Sequence, residues 1–479
     1  MRKWSYLNLF IRDMDCFINF EGNKCMENKL KDNLNRNIDI FVQRLSQALQ
    51  YKTISYENVD LVDKSEFLKF HTFIEKSFPN VHRELVREKI NDLGILFKWE
   101  GTDNNQDSIL LMAHMDVVPV EKDTENEWCF DPFSGKISDG YVWGRGALDM
   151  KSQLMGILEA VEGLIINGFK PRKTIYLAFG QDEEVGGYLG NAQIASYLQT
   201  KGIKLSMVLD EGGFIIKNAI AGMSCPAALI GIAEKGMTTL ELFAESNGGH
   251  SSMPPNSTAI GRLAKAIYIL EKHQFKANMN SILKEFFKAI APKMPILKRI
   301  IFSNMCLFKL LIIRILIKSP KTNALVRTTT AFTMIEGGIK MNILPQQAKA
   351  VANFRLIPGK TIEDVKKRVD KIVKKLDITV KVNDVSFNPS KISDTSSNEY
   401  KVLCKTIASV FPESVAAPYL TVGSTDSRYY QKNANQIFRF CPIEIVSEDL
   451  ERVHGVNERI SVEGYKKLIK YFYLLLENL

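Results

Sequence analysis

Three short apolar segments, each ending in polar or acidic side chains, constrain the fold of this chain most. They are "SILLMAH" (108–114), "TIYLAFGQDEE" (174–184) and "LSMVLDEGG" (205–213), and helical patterns over 150–168 and 190–202 separate them. Strands that alternate with helices predict an α/β fold, with a mostly parallel sheet flanked by helices. In such sheets functional groups collect at the carboxyl ends of the strands.

The sequence pattern changes near residue 234. There "KGMTTLELFAES" alternates between apolar and polar residues, and amphipathic helices and further strand-like segments follow. At 479 residues the chain also exceeds one ordinary core. We therefore expect a catalytic domain in two parts, 1–233 and 385–479, interrupted by an α+β domain over 234–384. The helical stretch 275–317 is expected to enlarge that inserted domain.

Composition narrows the class of protein. The chain is 45% hydrophobic and 24% charged, which is typical of a globular protein. Its formal charge of +9 is expected to be spread over Lys-rich helices without a compact basic block, so we expect no nucleic-acid partner. The seven cysteines include no CxxC pair, which argues against a disulfide framework and fits a cytoplasmic location.

Two segments bear on targeting and membrane contact. The N-terminal residues 1–20 lack a clean signal-peptide core, because charged residues interrupt the apolar stretch. The segment 295–317 is apolar but contains four cations, which argues against a lipid-spanning helix and predicts no stable membrane insertion. We expect an amphipathic helix that covers the protein surface; peripheral membrane contact or a subunit interface is the alternative.

The stretch "GQDEEVGG" (180–187) places three carboxylates in a row after an apolar strand. Repulsion and desolvation make this arrangement costly unless cations offset it. Imidazole and carboxylate ligands without sulfur suit zinc, cobalt or manganese. Seven side chains could hold such cations: His114, Asp116, Asp149, Glu183, Glu184, Asp210 and His454.

Six segments occur in an order that resembles the dinuclear zinc exopeptidases and aminoacylases, the family of glutamate carboxypeptidase. The similarity is strongest to the carboxypeptidase S branch, with which the chain also shares "GSTDSRYY" and the strand-like segment 327–359. The six segments are "AHMDVVPV", "DPFSGKISDGYVWGRGALDMKS", "GQDEEVGG", "VLDEGG", "GGHSSMPP" and "HGVNERIS".

The resemblance implies two zinc ions per subunit, with cobalt or manganese as alternatives. Asp149 would bridge both metals, His114 and Asp210 would complete one ligand set, and Glu184 and His454 the other. Asp116 would orient His114, while Glu183 would act as the general base. The resemblance also implies a cis peptide bond between Asp149 and Met150.

Further roles follow from the same resemblance. His250 would reach the active site from the lid of the other subunit, which makes the inserted domain a lid and dimerisation domain and implies a possible homodimer. Arg355 would bind the substrate carboxylate beside Asn342, and Gly423 and Ser424 would line the substrate site.

We therefore expect a metal-dependent hydrolase that cleaves the amide bond next to a free C-terminal amino acid in small peptides. An N-acyl amino acid amidohydrolase is the alternative, since the motifs leave the acyl-side pocket open. A noncatalytic metal-binding protein is a remote alternative, because the base and all five ligands are present. Dinucleotide binding is excluded, since "HMDVVP" follows the first strand where a Gly-x-Gly-x-x-Gly turn would be needed.

Overall fold

The computed structural model describes Leu34 and residues 36–218, 220 and 222–479. The N-terminal segment 1–20, which lacks a clean signal-peptide core, lies outside the described residues, as do Cys16 and Cys25. The helices are α1 (36–49), α2 (Lys64–Ser77), α3 (Pro79–Glu84), α4 (Lys151–Ile166), α5 (Asn191–Thr200), α6 (Ala259–Lys272), α7 (Ser281–Ile290), α8 (Ile296–Ser303), α9 (Met305–Leu316), α10 (Pro320–Val326), α11 (Ile362–Val373), α12 (Asn398–Val410) and α13 (Val462–Asn478).

A mixed ten-stranded sheet forms the larger part of the fold. Helices cover it, and its central strands are parallel and buried on both faces, which is why they are apolar along their whole length. The predicted α/β fold with a mostly parallel sheet is confirmed. The strands are β1 (Val86–Ile90), β2 (Gly94–Trp99), β3 (Ser108–His114), β6 (Ile175–Gly180), β7 (Leu205–Asp210), β8 (Ile215–Ile216), β9 (Ala227–Glu234), β16 (Val415–Thr421), β17 (Ala434–Arg439) and β18 (Glu444–Ile445).

A second, antiparallel sheet has four strands in the order β12-β14-β10-β15. One face of this sheet packs against α6 and α11 and shares a core with them. Burial along β10 therefore alternates, which explains the alternating sequence near residue 234. Its strands are β10 (Gly236–Glu245), β12 (Thr329–Gly337), β14 (Gln347–Leu356) and β15 (Ile378–Val382).

Two small sheets complete the fold. One pairs β19 with β5 and so joins the C-terminal part of the chain to the residues just before Asp149. The other pairs β11 with β13. The strands of these sheets are β4 (Ile137–Ser138), β5 (Tyr141–Trp143), β19 (Arg459–Ser461), β11 (Gly249–His250) and β13 (Ile343–Leu344).

Most of the helical stretch 275–317 packs on the large sheet and not on the four-stranded sheet, so the expectation that it enlarges the inserted domain is wrong. Helices α7–α10 pack on β9 and β16 of the large sheet, where Phe287 and Ile312 share a core with Leu229 and Ala417. The physical reason is the continuous apolar face that β9 and β16 offer at this side of the large sheet. These helices cover that face and enclose an apolar cavity of about 720 Å³.

Candidate metal centre

The predicted acidic residues come together because three parallel strands are neighbours. Strand β3 lies between β6 and β7, so the carboxyl ends of all three meet at one edge of the large sheet. His114 ends β3, the Glu183–Glu184 pair follows β6, and Glu211 follows β7. The turn before α4 adds Asp149, and the bond between Asp149 and Met150 is cis, as predicted.

The first group of potential metal ligands is His114, Asp149 and Glu211. The His114 Nε2 atom lies 3.1 Å from Asp149 Oδ1 and 3.7 Å from Glu211 Oε1. The other ring nitrogen, Nδ1, lies 2.9 Å from the backbone oxygen of Asp116 and 3.3 Å from its Oδ1. Since Nδ1 donates its proton to Asp116, the Nε2 lone pair faces the two carboxylates, as a metal ligand does.

The second group is Asp149, Glu184 and His454. His454 Nε2 lies 3.1 Å from Asp149 Oδ2 and 3.0 Å from Glu184 Oε2. Asp149 thus gives one oxygen to each group, which is how a bridging carboxylate binds two cations. The buried Glu184 Oε1 atom has no hydrogen-bond partner in the described part of the chain, so a cation fits the donor set here.

Asp210, predicted as a ligand, belongs to neither group. Its Oδ2 accepts a hydrogen bond of 2.9 Å from the backbone N–H of Ser427, and Thr425 also hydrogen-bonds to its side chain. Neighbouring side chains of an extended segment point in opposite directions, so only one of Asp210 and Glu211 can face the site. In "VLDEGG" the sequence offers both carboxylates, and Glu211 is the one that lies beside His114.

Asp116 has the orienting position that the sequence suggested. It is fully buried, and besides facing His114 it accepts hydrogen bonds of 3.1 Å each from the backbone N–H groups of Glu183 and Glu184. Ser55 Oγ donates a further hydrogen bond of 2.6 Å to this carboxylate. A single carboxylate therefore fixes the imidazole of one group and the turn that carries Glu184 of the other.

Glu458 is a buried residue of the site that sequence reasoning missed. Its Oε1 accepts hydrogen bonds from the backbone N–H groups of Leu148 and Asp149, at 2.7 and 3.1 Å. Its Oε2 lies 2.8 Å from Arg145 Nη1, and Arg145 donates from Nη2 to the backbone oxygen of His454 at 3.1 Å. Glu458 and Arg145 together tie the Asp149 turn to the His454 loop. The position of Glu458 in the "HGVNERIS" segment was the signal by which the sequence could have identified it.

Burial and the neighbouring carboxylates shift the pKa values of the site residues. Burial raises the pKa of Glu183 well above its ordinary value, and the charge of nearby Asp426 adds to that shift. Burial also raises the pKa of Glu211, with Asp149 as the next cause. Hydrogen bonds to Asp149 and Glu184 raise the pKa of His454 to about 10. Negative charge is therefore in excess here, which is the condition under which cations bind.

The remaining predicted residues lie outside this cluster. Arg355 lies near the end of β14, half-buried, and burial lowers its pKa, with the nearby charge of Arg428 as the second cause. Arg428 in turn donates a hydrogen bond to the backbone oxygen of Gly186, and the charge of Glu183 acts on it. Arg428 thus lies between Arg355 and the turn of the predicted base.

His250 and Asn342 lie close together, since the backbone N–H of Ser251 donates to the backbone oxygen of Asn342 at 3.2 Å. The His250 imidazole is exposed, and its Nδ1 lies 2.7 Å from Ser252 Oγ. Among the described residues, no hydrogen bond or ion pair joins His250 to the carboxylate cluster. Gly423 and Ser424 lie in the loop after β16, exposed and half-buried respectively.

Two groups of potential metal ligands share the carboxylate of Asp149, and a further glutamate, Glu183, lies in neither group. With the α/β fold that presents them, they are the site of a metal-dependent hydrolase.

Over residues 110–478 the chain matches the peptidase family M20/M25/M40, and it belongs to that family. It is 39% identical over 442 residues to "Probable carboxypeptidase S-like 2" of Dictyostelium discoideum, covering 91% of this chain and 84% of the relative. It is equally identical, over the same length, to "N-fatty-acyl-amino acid synthase/hydrolase PM20D1" of Xenopus tropicalis, covering 91% and 85%.

Solved structures share the fold. The M20 family metallo-carboxypeptidase Sso-CP2 from Sulfolobus solfataricus superposes with a TM-score of 0.66 at 20% identity, covering 91% of this chain and 98% of that one. The predicted kinship with the carboxypeptidase S branch is thus confirmed. The protein is an enzyme of the peptidase and amidohydrolase type that uses a metal cofactor.

Proposed function

We propose that this enzyme uses two zinc ions per subunit to hydrolyse the amide bond next to a free C-terminal amino acid. The observation that carries this proposal is the position of Asp149, whose two oxygens each face one imidazole, at 3.1 Å in both cases. Asp149 would bridge the metals, with His114 and Glu211 on one and Glu184 and His454 on the other. The absence of sulfur from this set favours zinc, cobalt or manganese over softer metals.

Bound metal ions would supply Lewis acidity and lower the pKa of a water molecule at the site. Glu183 is the base that takes a proton from this water as the water oxygen adds to the amide carbonyl carbon, and it returns the proton to the amide nitrogen as the C–N bond breaks. The products are then a carboxylate and a free amino acid. Asp116 holds the backbone of Glu183 in place, and burial raises the pKa of the Glu183 carboxylate, which favours its uptake of a proton.

Arg355 would hold the carboxylate of the substrate. Its guanidinium forms no salt bridge with any carboxylate in the described part of the chain, and it is half-buried. A half-buried cation without an anionic partner favours an anionic ligand, and a planar guanidinium binds a carboxylate through two hydrogen bonds. Asn342 and His250 would approach from the lid of a second subunit in a homodimer, while Gly423 and Ser424 would line the site.

The apolar cavity beneath α7–α10 favours a second candidate substrate, an N-acyl amino acid with a long apolar acyl group. Its walls include Ile216, five residues after Glu211, and Leu450, four residues before His454. Both ligand groups therefore have a cavity residue close by in sequence. The relative from Xenopus tropicalis is named for N-fatty-acyl amino acids, which agrees with this candidate.

A paired substrate panel tests the proposal. Dipeptides ending in leucine and N-acyl-leucines of increasing chain length are offered to the zinc-loaded enzyme, with a chelator-treated sample as the control. We expect cleavage of at least one set that stops on chelation and returns with added zinc. Cleavage that persists in the metal-free enzyme would contradict the proposal. The amide of each substrate's carboxylate is the matched control for Arg355, and it should be cleaved poorly.

A further inference from the structure

The outward face of α8 and α9 is apolar and exposed. On α9, Leu307 and Leu310 are 81% and 71% exposed, and Leu311 and Arg314 continue the same face at helical spacing. On α8, Leu297 is 77% exposed, and this short helix buries none of its residues. Contiguous exposed leucine and isoleucine of this kind mark a surface that binds a partner. The exposed apolar residues of this surface are Ile296, Leu297, Ile300, Leu307, Leu310, Leu311 and Ile315.

The same part of the chain carries an unbalanced positive charge. Residues 286–335 contain nine Lys or Arg and no Asp or Glu. Because the whole chain has 63 cations and 54 anions, this segment accounts for its entire net charge of +9, and the rest is balanced. The expectation that the charge is spread without a basic block is therefore wrong; the lysines and arginines between 288 and 327 concentrate it.

The cations lie on the apolar surface itself. Arg299, Lys309 and Arg314 are exposed, and none forms a salt bridge with a carboxylate among the residues that the structure describes. Long cationic side chains beside leucines can place their charges at lipid headgroups while the leucines enter the layer beneath.

Two other partners fit less well. A second copy of this surface would bring two sets of like charges together, which opposes self-association. A helix that crosses a bilayer needs about 20 apolar residues, whereas α9 has 12 residues in all, among them Lys309 and Arg314. No helix in the described parts of the chain is long and apolar enough to cross a bilayer.

We propose that the α8–α9 surface docks on anionic lipid, with α8 and α9 lying in the plane of the membrane interface. The leucines and isoleucines enter the headgroup boundary, and the surrounding lysines and arginines bind acidic headgroups. The inner sides of the same two helices line the apolar cavity through Ile301, Phe302 and Ile312. Docking therefore places the cavity directly beside the lipid layer.

Co-sedimentation with vesicles tests this. The full chain is mixed with vesicles of phosphatidylcholine alone or of phosphatidylcholine with phosphatidylserine, at about 0.15 M and about 1 M NaCl. We expect binding only to the phosphatidylserine vesicles, and mainly at the lower salt concentration. Absence of binding to phosphatidylserine vesicles at the lower salt concentration would overturn the proposal.

Two variants locate the binding surface. The charge reversal R299E/K309E/R314E should weaken binding about 100-fold, at roughly five-fold for each cation near an anionic surface. The exposed pair L307S/L310S should weaken it about 10-fold or more without lowering the melting temperature, because neither leucine is buried.

A matched charge reversal on α11 and the turn after it, K371E/K374E/K375E, has the same net charge as the first variant. It should bind like the wild type, and equal loss in both triple variants would overturn the proposal. A dimer that L307S/L310S dissociates in sedimentation velocity, without vesicle binding by the wild type, would show that a second copy covers the surface instead.

Discussion

The substitution Glu458→Gln removes one charge from a pair that is closed off from water. Glu458 is fully buried and Arg145 is 3% exposed, with 2.8 Å between Glu458 Oε2 and Arg145 Nη1. An amide oxygen can still accept from the N–H groups of Leu148 and Asp149. The amide nitrogen, however, would face Arg145 donor to donor and leave that charge buried without an anionic partner. Breaking a buried pair in this way costs about 3–5 kcal/mol. We expect about 3 kcal/mol, since the two backbone hydrogen bonds survive.

The assay is urea unfolding followed by tryptophan fluorescence, with metal content measured on the folded protein. The exposed Glu463, whose carboxylate lies 3.8 Å from Lys466, provides a control: Glu463→Gln should change stability by less than about 0.5 kcal/mol. Adding Arg145→Met to Glu458→Gln should recover part of the loss, because no unpaired charge then remains. A loss below about 1 kcal/mol for Glu458→Gln would refute the view that this pair holds the Asp149 turn to the His454 loop.

Three further predictions follow from the site and its surroundings. Glu211→Gln should lose one of two bound metal ions by elemental analysis, whereas Asp210→Asn should retain both; the reverse result would restore Asp210 as the ligand. Arg355→Lys should raise KM about 10-fold or more with little change in kcat, because one charge-assisted hydrogen bond to the substrate carboxylate is lost. The third concerns His71, whose burial, aided by the charges of Arg87 and Lys89, lowers its pKa to about 4. Because the unfolded state takes up this proton first, stability should be complete above about pH 6.5 and lower by about 2 kcal/mol at pH 5. His71→Leu should flatten that part of the stability profile, and an unchanged slope would contradict it.

The sequence predicted those features that depend on strand order. The sequence predicted a parallel sheet from three apolar segments, which end at His114, before Glu183 and at Asp210. Because the carboxyl ends of such strands lie at one edge of the sheet, the potential ligands were expected to lie close together. The sequence could not show whether Asp210 or Glu211 faces the site, since that depends on which of the two carboxylates hydrogen-bonds to the loop that contains Ser427.

The surroundings of the site were harder to predict for a different reason. Glu458 acts through Arg145, which lies 313 positions away in the chain, and nothing local in the sequence links the two. The segment 275–317 was expected to enlarge the inserted domain but packs on the large sheet, because an amphipathic pattern shows that a helix covers an apolar face without showing which face. The sequence shows that the net positive charge is concentrated in residues 286–335, but the total of +9 does not show where the charge lies.

The role of Glu183 as the base at a two-metal site can be tested directly. Turnover and metal content are determined together for the wild type, for Glu183→Gln and for the exposed control Glu413→Gln, on the best substrate of the panel. We expect two metal ions in all three proteins and a kcat lowered about 10²–10⁴-fold in Glu183→Gln alone. Unchanged turnover in Glu183→Gln, with both metal ions bound, would contradict it.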